Sequence, residues 1–450
     1  MEILNLFFGF ALLHLVFSRV RLSRQRLTHE TFQSNLQAAY QRYVSYEGDL
    51  SNLECSYKST NSPRVRTRRS TWHQNILAMS KAEYVVSITV GSPGQDFEAL
   101  VDTGSGDFLI PDESCKWYQN PGSKASQKEL CRSYCRGDDA CCQRLFLVGP
   151  CNPEHQFRRD ASSSFEITET STSDITYASI TAKALYGKDV VEFGGNYDLE
   201  NGHLLSLGNF TFALATSMYS NSPGSHKPLI LTILGLGPTS AHPENSLPVL
   251  TQLFQNKKIH FDNLLFHLIL NFDCVEGGLI DYGSAEPYSE ICEKEVVTVL
   301  YPADSYSFCI SNSISLEGTD PGQGGELPVA AIIDSGTNAI LGPPDKVKKL
   351  AADVGATPQA NGHYTIDCEK QNTGRDIVFK TPSEKKLRVS SHNYVIQISS
   401  SKCVFGFAGN NGMKRWVLGT PFIRGFCMSF DHEKKKMHFR KRRPCSQNYF

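Results

Sequence analysis

An excess of charge of either sign is missing from this chain. Its 45 Lys and Arg stand against 46 Asp and Glu, and a formal net charge of −1 gives no overall field for gathering a nucleic acid. Long apolar runs are missing too. Only residues 3–17 are almost continuously apolar, which is short for a bilayer span, and nothing beyond them is long enough to cross. The thirteen histidines show no metal-ligand spacing, so satisfied or exposed roles are expected for them, and no metal site is expected. What the chain does have is 450 residues and 40% hydrophobic content. That is ample for packing and too long for one core of ordinary size, so two lobes plus extra segments are expected.

One short pattern occurs twice. The apolar run Ala99-Leu100-Val101 leads into Asp102-Thr103-Gly104-Ser105, and Val329-Ala330-Ala331-Ile332-Ile333 leads into Asp334-Ser335-Gly336-Thr337. Each copy reads as a buried strand ending in a tight turn that holds one carboxylate. The glycine lets the backbone fold back, and the hydroxyls can hydrogen-bond the carboxylate. A lone Asp-Ser/Thr-Gly is an ordinary turn. Here, however, each copy is followed by two apolar residues and a glycine, Ile233-Leu234-Gly235 and Val417-Leu418-Gly419. That order, once per half, marks a duplicated architecture.

On these residues the stretch 83–439 resembles the pepsin-like aspartic proteases. The resemblance implies a mainly β, bilobal fold: two pseudo-symmetric barrel-like lobes, a shared interlobe sheet and a deep cleft. It implies Asp102 and Asp334 as the catalytic pair. Ser105 and Thr337 would bond the outer carboxylate oxygens, Thr103 and Ser335 would brace the turns across the lobes, and Gly104 and Gly336 would complete the turns. Tyr177, in Asp174-Ile175-Thr176-Tyr177, matches the tyrosine of a flap hairpin over the cleft; read alone, it is an ordinary cross-strand aromatic. The resemblance also implies the disulfides Cys115–Cys151 and Cys368–Cys403. Three departures stand out. Ala178-Ser179-Ile180-Thr181 replaces a glycine-rich flap tip, and the β-branched Ile180 is ill suited to positive φ, so the tip is expected to adopt a different turn or to shift its register. Leu109 stands where a tryptophan supports the flap tyrosine. Thr420 stands where an Asp outside the catalytic pair is usual, and is expected to modulate acidity rather than remove activity.

Around this core lie other segments. Residues 1–18 read as a cleaved secretory signal, with a signal anchor as the competing reading; the run is preceded by Glu2 and no basic residue. Residues 19–69 carry Arg19, Arg21, Arg24, Arg26 and Arg42 against few acids, with helical potential over 28–43. They resemble the family's basic pro-segment, which would lie over a cleft floored by two carboxylates and release as acid protonates them; a disordered basic arm is the alternative. Arg66-Thr67-Arg68-Arg69 resembles a convertase cleavage site. The lobes are expected at 70–255 and 256–450. Between Cys115 and Cys151 lie Cys131, Cys135, Cys141 and Cys142, without two CxxC pairs or a histidine set, so behind a signal peptide disulfides account for them better than zinc. The family lacks this insertion at 116–150. The pairing of Cys55, Cys274, Cys292, Cys309, Cys427, Cys445 and the insertion's four cysteines stays open. Asn209-Phe210-Thr211 is the single N-glycosylation sequon, expected on a surface turn. A helix is expected over 344–353, ended by Gly355, and the basic tail 434–443 reads as a solvated strand and end.

Two carboxylates on adjacent turns do not both ionise readily and would share a proton. One would act as general base on a water and the other would protonate the scissile carbonyl, with no acyl-enzyme, metal or organic cofactor. The expected function is therefore a secreted or lysosomal aspartic endopeptidase, made as a zymogen, monomeric, cleaving extended peptides at acidic pH. Two readings compete: a catalytically weak relative that binds peptide or protein through the cleft, and a disulfide-rich ligand protein working through the insertion.

Overall fold

The computed structural model describes residues 72–78, 83–118, 151, 153–177, 180–194, 205–220, 232–256, 264–270, 277–283, 291–311, 313–319, 327–359, 363–399 and 401–443. The expected signal and pro-segment, the cysteines of the insertion and the tip residues Ala178 and Ser179 lie outside them.

Strands dominate, as alternation over Tyr84–Val90 and the apolar run into Asp102 require. In the first half, Tyr84–Val90, Gln95–Asp102, Thr232–Gly235, Phe108–Tyr118, Leu205–Ser220 and Ile180–Phe193 pair in that order, and the last pairs back to the first to close a barrel. Its interior holds Phe97, Phe108, Phe157, Phe210 and Phe212 in tilted and edge-to-face contact. Each such ring contributes about 2 kcal/mol by leaving water. The Phe108–Tyr118 strand continues into the expected insertion through Lys116, Trp117 and Tyr118, and Tyr118 stacks on Tyr219 at 5.1 Å.

The second half carries its core motif in a five-stranded sheet: Ser307–Ile310, Val329–Ile333, Trp416–Leu418, Ile340–Gly342 and Phe407–Gly409. Beneath both halves, Cys292–Leu300, Lys436–Arg442, Phe426–Asp431, Leu265–Leu270, Gly278–Tyr282 and Trp72–Ala78 form a shared sheet. Trp72–Ala78 also pairs with Tyr84–Val90 and so joins that sheet to the first barrel. The fold is the bilobal pepsin-like β fold. The basic tail departs from expectation. Lys436–Arg442 is an inner strand between two others, with Met437 and Phe439 buried and Lys436, Arg440 and Arg442 on the opposite face. The helix Pro344–Val354 forms as expected: Pro344 suits its first turn, Asp345 complements its N-terminal dipole, and Gly355 at φ 80° ends it.

Candidate active site

The two halves repeat the same local geometry. Gln95–Asp102 runs parallel to Thr232–Gly235, pairing Val101 with Leu234 and Asp102 with Gly235. Val329–Ile333 runs parallel to Trp416–Leu418, pairing Ile332 with Val417 and Ile333 with Leu418. In each half the chain leaves the Asp turn and passes beneath the Gly: Phe108 lies opposite Leu234, and Ile340 opposite Leu418. A Cβ on Gly235 would meet the Asp107 nitrogen at 2.5 Å, and one on Gly419 would meet the Ala339 oxygen at 2.2 Å. The glycine of the apolar-apolar-Gly motif is there because two backbones cross at that point.

The hydroxyls then organise the carboxylates. Gly104 N–H donates to Asp102 Oδ1 at 2.8 Å and Ser105 Oγ donates to Oδ2 at 2.6 Å. Gly336 N–H donates to Asp334 Oδ1 at 2.9 Å and Thr337 Oγ1 to Oδ2 at 2.6 Å. Across the halves, Thr103 N–H donates to Ser335 Oγ at 3.0 Å, and Ser335 N–H to Thr103 Oγ1 at 2.9 Å. Thr103 Oγ1 in turn donates to Ile333 O at 3.1 Å, and Ser335 Oγ to Val101 O at 2.8 Å. Each hydroxyl therefore takes one proton and gives one, and no cross-link is left half-made. Both acids are buried, Asp102 at 1% and Asp334 at 0% exposure. They converge: a Cβ placed on Gly104 would touch the Asp334 carboxyl at 2.8 Å and Asp102 Oδ1 at 3.1 Å. All eight residues of the duplicated turns thus meet at one place.

Thr420 is buried beside this place, and its N–H donates to Thr337 O at 2.8 Å. Thr337 is the residue bonded to Asp334, so the substituted position sits one residue behind the second carboxylate.

Glu166–Thr176 and Ile180–Phe193 form the expected hairpin. Tyr177 lies at its end, 4% exposed, with its N–H donating to Ile180 O at 2.8 Å. It packs in one apolar cluster with Leu109, Ile175, Ile180 and Ala213. Leu109 and Tyr177 thus share one buried apolar cluster. Ile180 stays out of the turn, in keeping with its poor fit to positive φ. Ile180 already belongs to the returning strand, pairs with Ser220 and is 2% exposed, and it is not among the positive-φ residues. An extended backbone suits a β-branched side chain.

His242, which no sequence signal marked, reaches the hairpin from the loop behind Gly235. Its Nε2 bonds Asp174 O at 3.0 Å and its Nδ1 bonds Glu244 Oε1 at 3.1 Å. Both partners are acceptors, so both bonds are satisfied together only by the imidazolium form. Burial pushes its pKa down, but the Asp174 carbonyl, the Glu244 carboxylate and the Asp107 charge together hold it above the ordinary value. The same loop is pinned by Asp107, which accepts from Ser240 Oγ and Ala241 N and whose pKa burial raises. With a raised folded pKa, both His242 bonds are made below the ordinary histidine pKa, and one of the two is lost as pH rises through the folded value. In His242→Leu, amide exchange in the 166–176 strand should be several-fold faster at pH 5, and the gap should narrow at alkaline pH. Equal protection at pH 5 would remove the tether.

The structure bridges Cys115 to Cys151 and Cys368 to Cys403, and pairs Cys292 with Cys427, which the sequence left open. Asn209 is exposed at φ 56°, in an irregularity of the Leu205–Ser220 strand. Among the described residues no helix is long and apolar enough to cross a membrane.

Known proteins match this sequence. A family model described as eukaryotic aspartyl protease matches residues 83–442. The chain belongs to the eukaryotic aspartyl protease family. Among its relatives, aspartic protease 2 of Necator americanus is 26% identical over 81% of this chain and 84% of its own. Pepsin A of Sus scrofa is 28% identical over 79% and 80%, and cathepsin D of Canis lupus familiaris is 26% identical over 79% and 80%. This aspartyl protease is an aspartic-type endopeptidase acting on peptide substrates.

Proposed function

We propose that the chain is made as a zymogen in the secretory pathway, is secreted or lysosomal, and cleaves peptide bonds at acidic pH through Asp102 and Asp334. One observation carries this reading: the mirrored hydrogen bonds that present two buried carboxyl groups to one point. With one proton shared between them, one carboxylate takes a proton from an attacking water while the other donates to the carbonyl oxygen. Ser105 and Thr337 hold the Oδ2 oxygens, and the Oδ1 oxygens, each accepting one glycine N–H, would meet the substrate. The mature enzyme would act as a monomer of two lobes, 70–255 and 256–450, with an extended peptide lying between them under Tyr177. Removal of residues 1–18 and then of the basic stretch through Arg69 would yield it, and the disulfides fit that route. Asn209 would carry the glycan. A weakly catalytic peptide binder remains the second reading, favoured by the burial of Tyr177 against Leu109. Purified, matured protein should digest a denatured protein at acidic pH, and a statine-type analogue should block it. Absence of turnover under those conditions would leave the binding reading in its place.

A further inference from the structure

The hydroxyls of Thr103 and Ser335 link the Asp102 and Asp334 turns, but a second link runs beneath them. Tyr306, 1% exposed, is attached to both turns at once. Its backbone carbonyl accepts from Ile333 N–H at 3.0 Å, and Ile333 is the residue before Asp334. Its phenol donates to Leu236 O at 2.9 Å, in the other half of the chain. Leu236 N–H in turn donates to Asp102 O at 2.7 Å. The phenol has one proton, and Leu236 takes it. The close contact between the same oxygen and His432 Nε2 therefore requires His432 to donate.

This link is one-sided. The counterpart of Leu236 after the second glycine is Thr420, whose carbonyl accepts from Arg424 N–H within its own short helix. No residue of the first half reaches it in the way Tyr306 reaches Leu236 among the described residues. Around Tyr306 the packing leaves little play: Phe430 lies at 4.5 Å, Tyr301 at 5.1 Å and Phe266 at 6.1 Å between ring centroids. The His432 ring also touches Phe254 of the first half at 5.7 Å. Nearby, Thr239 Oγ1 donates to Asp304 O across the same boundary at 2.9 Å.

We propose that Tyr306 is a positioning residue for the reaction: it sets the spacing of the two carboxyl groups by tying the backbone that holds Asp102 to the backbone that holds Asp334, with His432 fixing the phenol. The proposal rests on the reading of Asp102 and Asp334 as the reacting pair. The contact survives acid. Burial, reinforced by Lys435 and opposed by Asp431, lowers the His432 pKa to about 4. Nε2 keeps its proton whether the ring is neutral or charged, so the donor to Tyr306 persists on both sides of that value.

Tyr306→Phe keeps the ring and removes only the hydroxyl. Near pH 4 it should lower kcat about tenfold while KM stays within twofold, because loosened carboxyls affect the chemical step rather than peptide binding. His432→Leu should lower kcat about threefold, and His432→Gln, which can still donate, should restore it. Parental kcat in Tyr306→Phe would overturn the proposal, as would losses that track the fraction of folded enzyme. If Tyr306→Phe does not fold, the His432 pair decides: equal kcat in the Leu and Gln variants overturns it. Failure of the wild-type enzyme to turn over at acidic pH would instead sink the underlying reading, so the two failures are distinguishable.

Discussion

Asp102→Asn and Asp334→Asn each reduce kcat at acidic pH by about a thousandfold or more, with the fold intact. The size follows from the pair acting as a unit. A single carboxyl facing an amide cannot both take a proton from water and hand one to the carbonyl. The fold survives because the amide preserves the local bonds. Its oxygen still accepts the glycine N–H that now meets Oδ1, from Gly104 or Gly336. The Ser105 and Thr337 hydroxyls can turn to accept from the new NH₂. Steady-state kinetics on a denatured protein, with thermal melting as control, checks both halves of the statement. Turnover within tenfold of the parent in either variant would refute the pair.

Gly419→Ala destabilises the protein by about 3 kcal/mol or more, lowering Tm by roughly 5 °C or more. The new methyl would lie 2.2 Å from Ala339 O and 2.3 Å from Thr337 O. Both are backbone atoms, so no rotamer change relieves the contact. Thr337 also holds Asp334, and the displacement should therefore cost activity as well as stability. Gly235→Ala meets Asp107 N and O at 2.5 and 2.6 Å and should behave alike. Gly208→Ala, with nothing within 4 Å of the added methyl, is the control. A Gly419→Ala melting point within a degree of the parent would show that the crossing can relax.

The site was legible because its parts are local and repeated. Asp-Thr-Gly-Ser, Asp-Ser-Gly-Thr and the two apolar-apolar-Gly pieces each encode a strand end or a crossing in four or fewer residues, and the duplication ties them together. Tyr306 and His432 were not legible. Their contact spans 126 positions, and the Tyr306–Leu236 bond spans 70, with no periodic pattern joining them. Nor was His242, 68 positions from its partner Asp174. The tail was misread for a different reason. Lys436 to Arg442 alternates buried and solvent-facing positions, but its charges hid the period that Met437 and Phe439 mark. At the flap, counting from a glycine-rich tip placed Ile180 in the turn, whereas Tyr177 closes its bond to Ile180 one step earlier and leaves Ile180 in the strand. Cys292 and Cys427 lie 135 positions apart, and only the shared sheet brings them together.

The central claim is that the cleft stabilises a transition state and does more than hold a peptide. Its most direct measurement compares two inhibitors at acidic pH: a statine-type peptide, and the same peptide with the central hydroxyl replaced by hydrogen. On the proposed reading, that hydroxyl would stand where the tetrahedral oxygen would sit between Asp102 and Asp334. It should tighten binding by about a hundredfold or more. Equal affinity for the two peptides would contradict the account and leave a cleft that only binds.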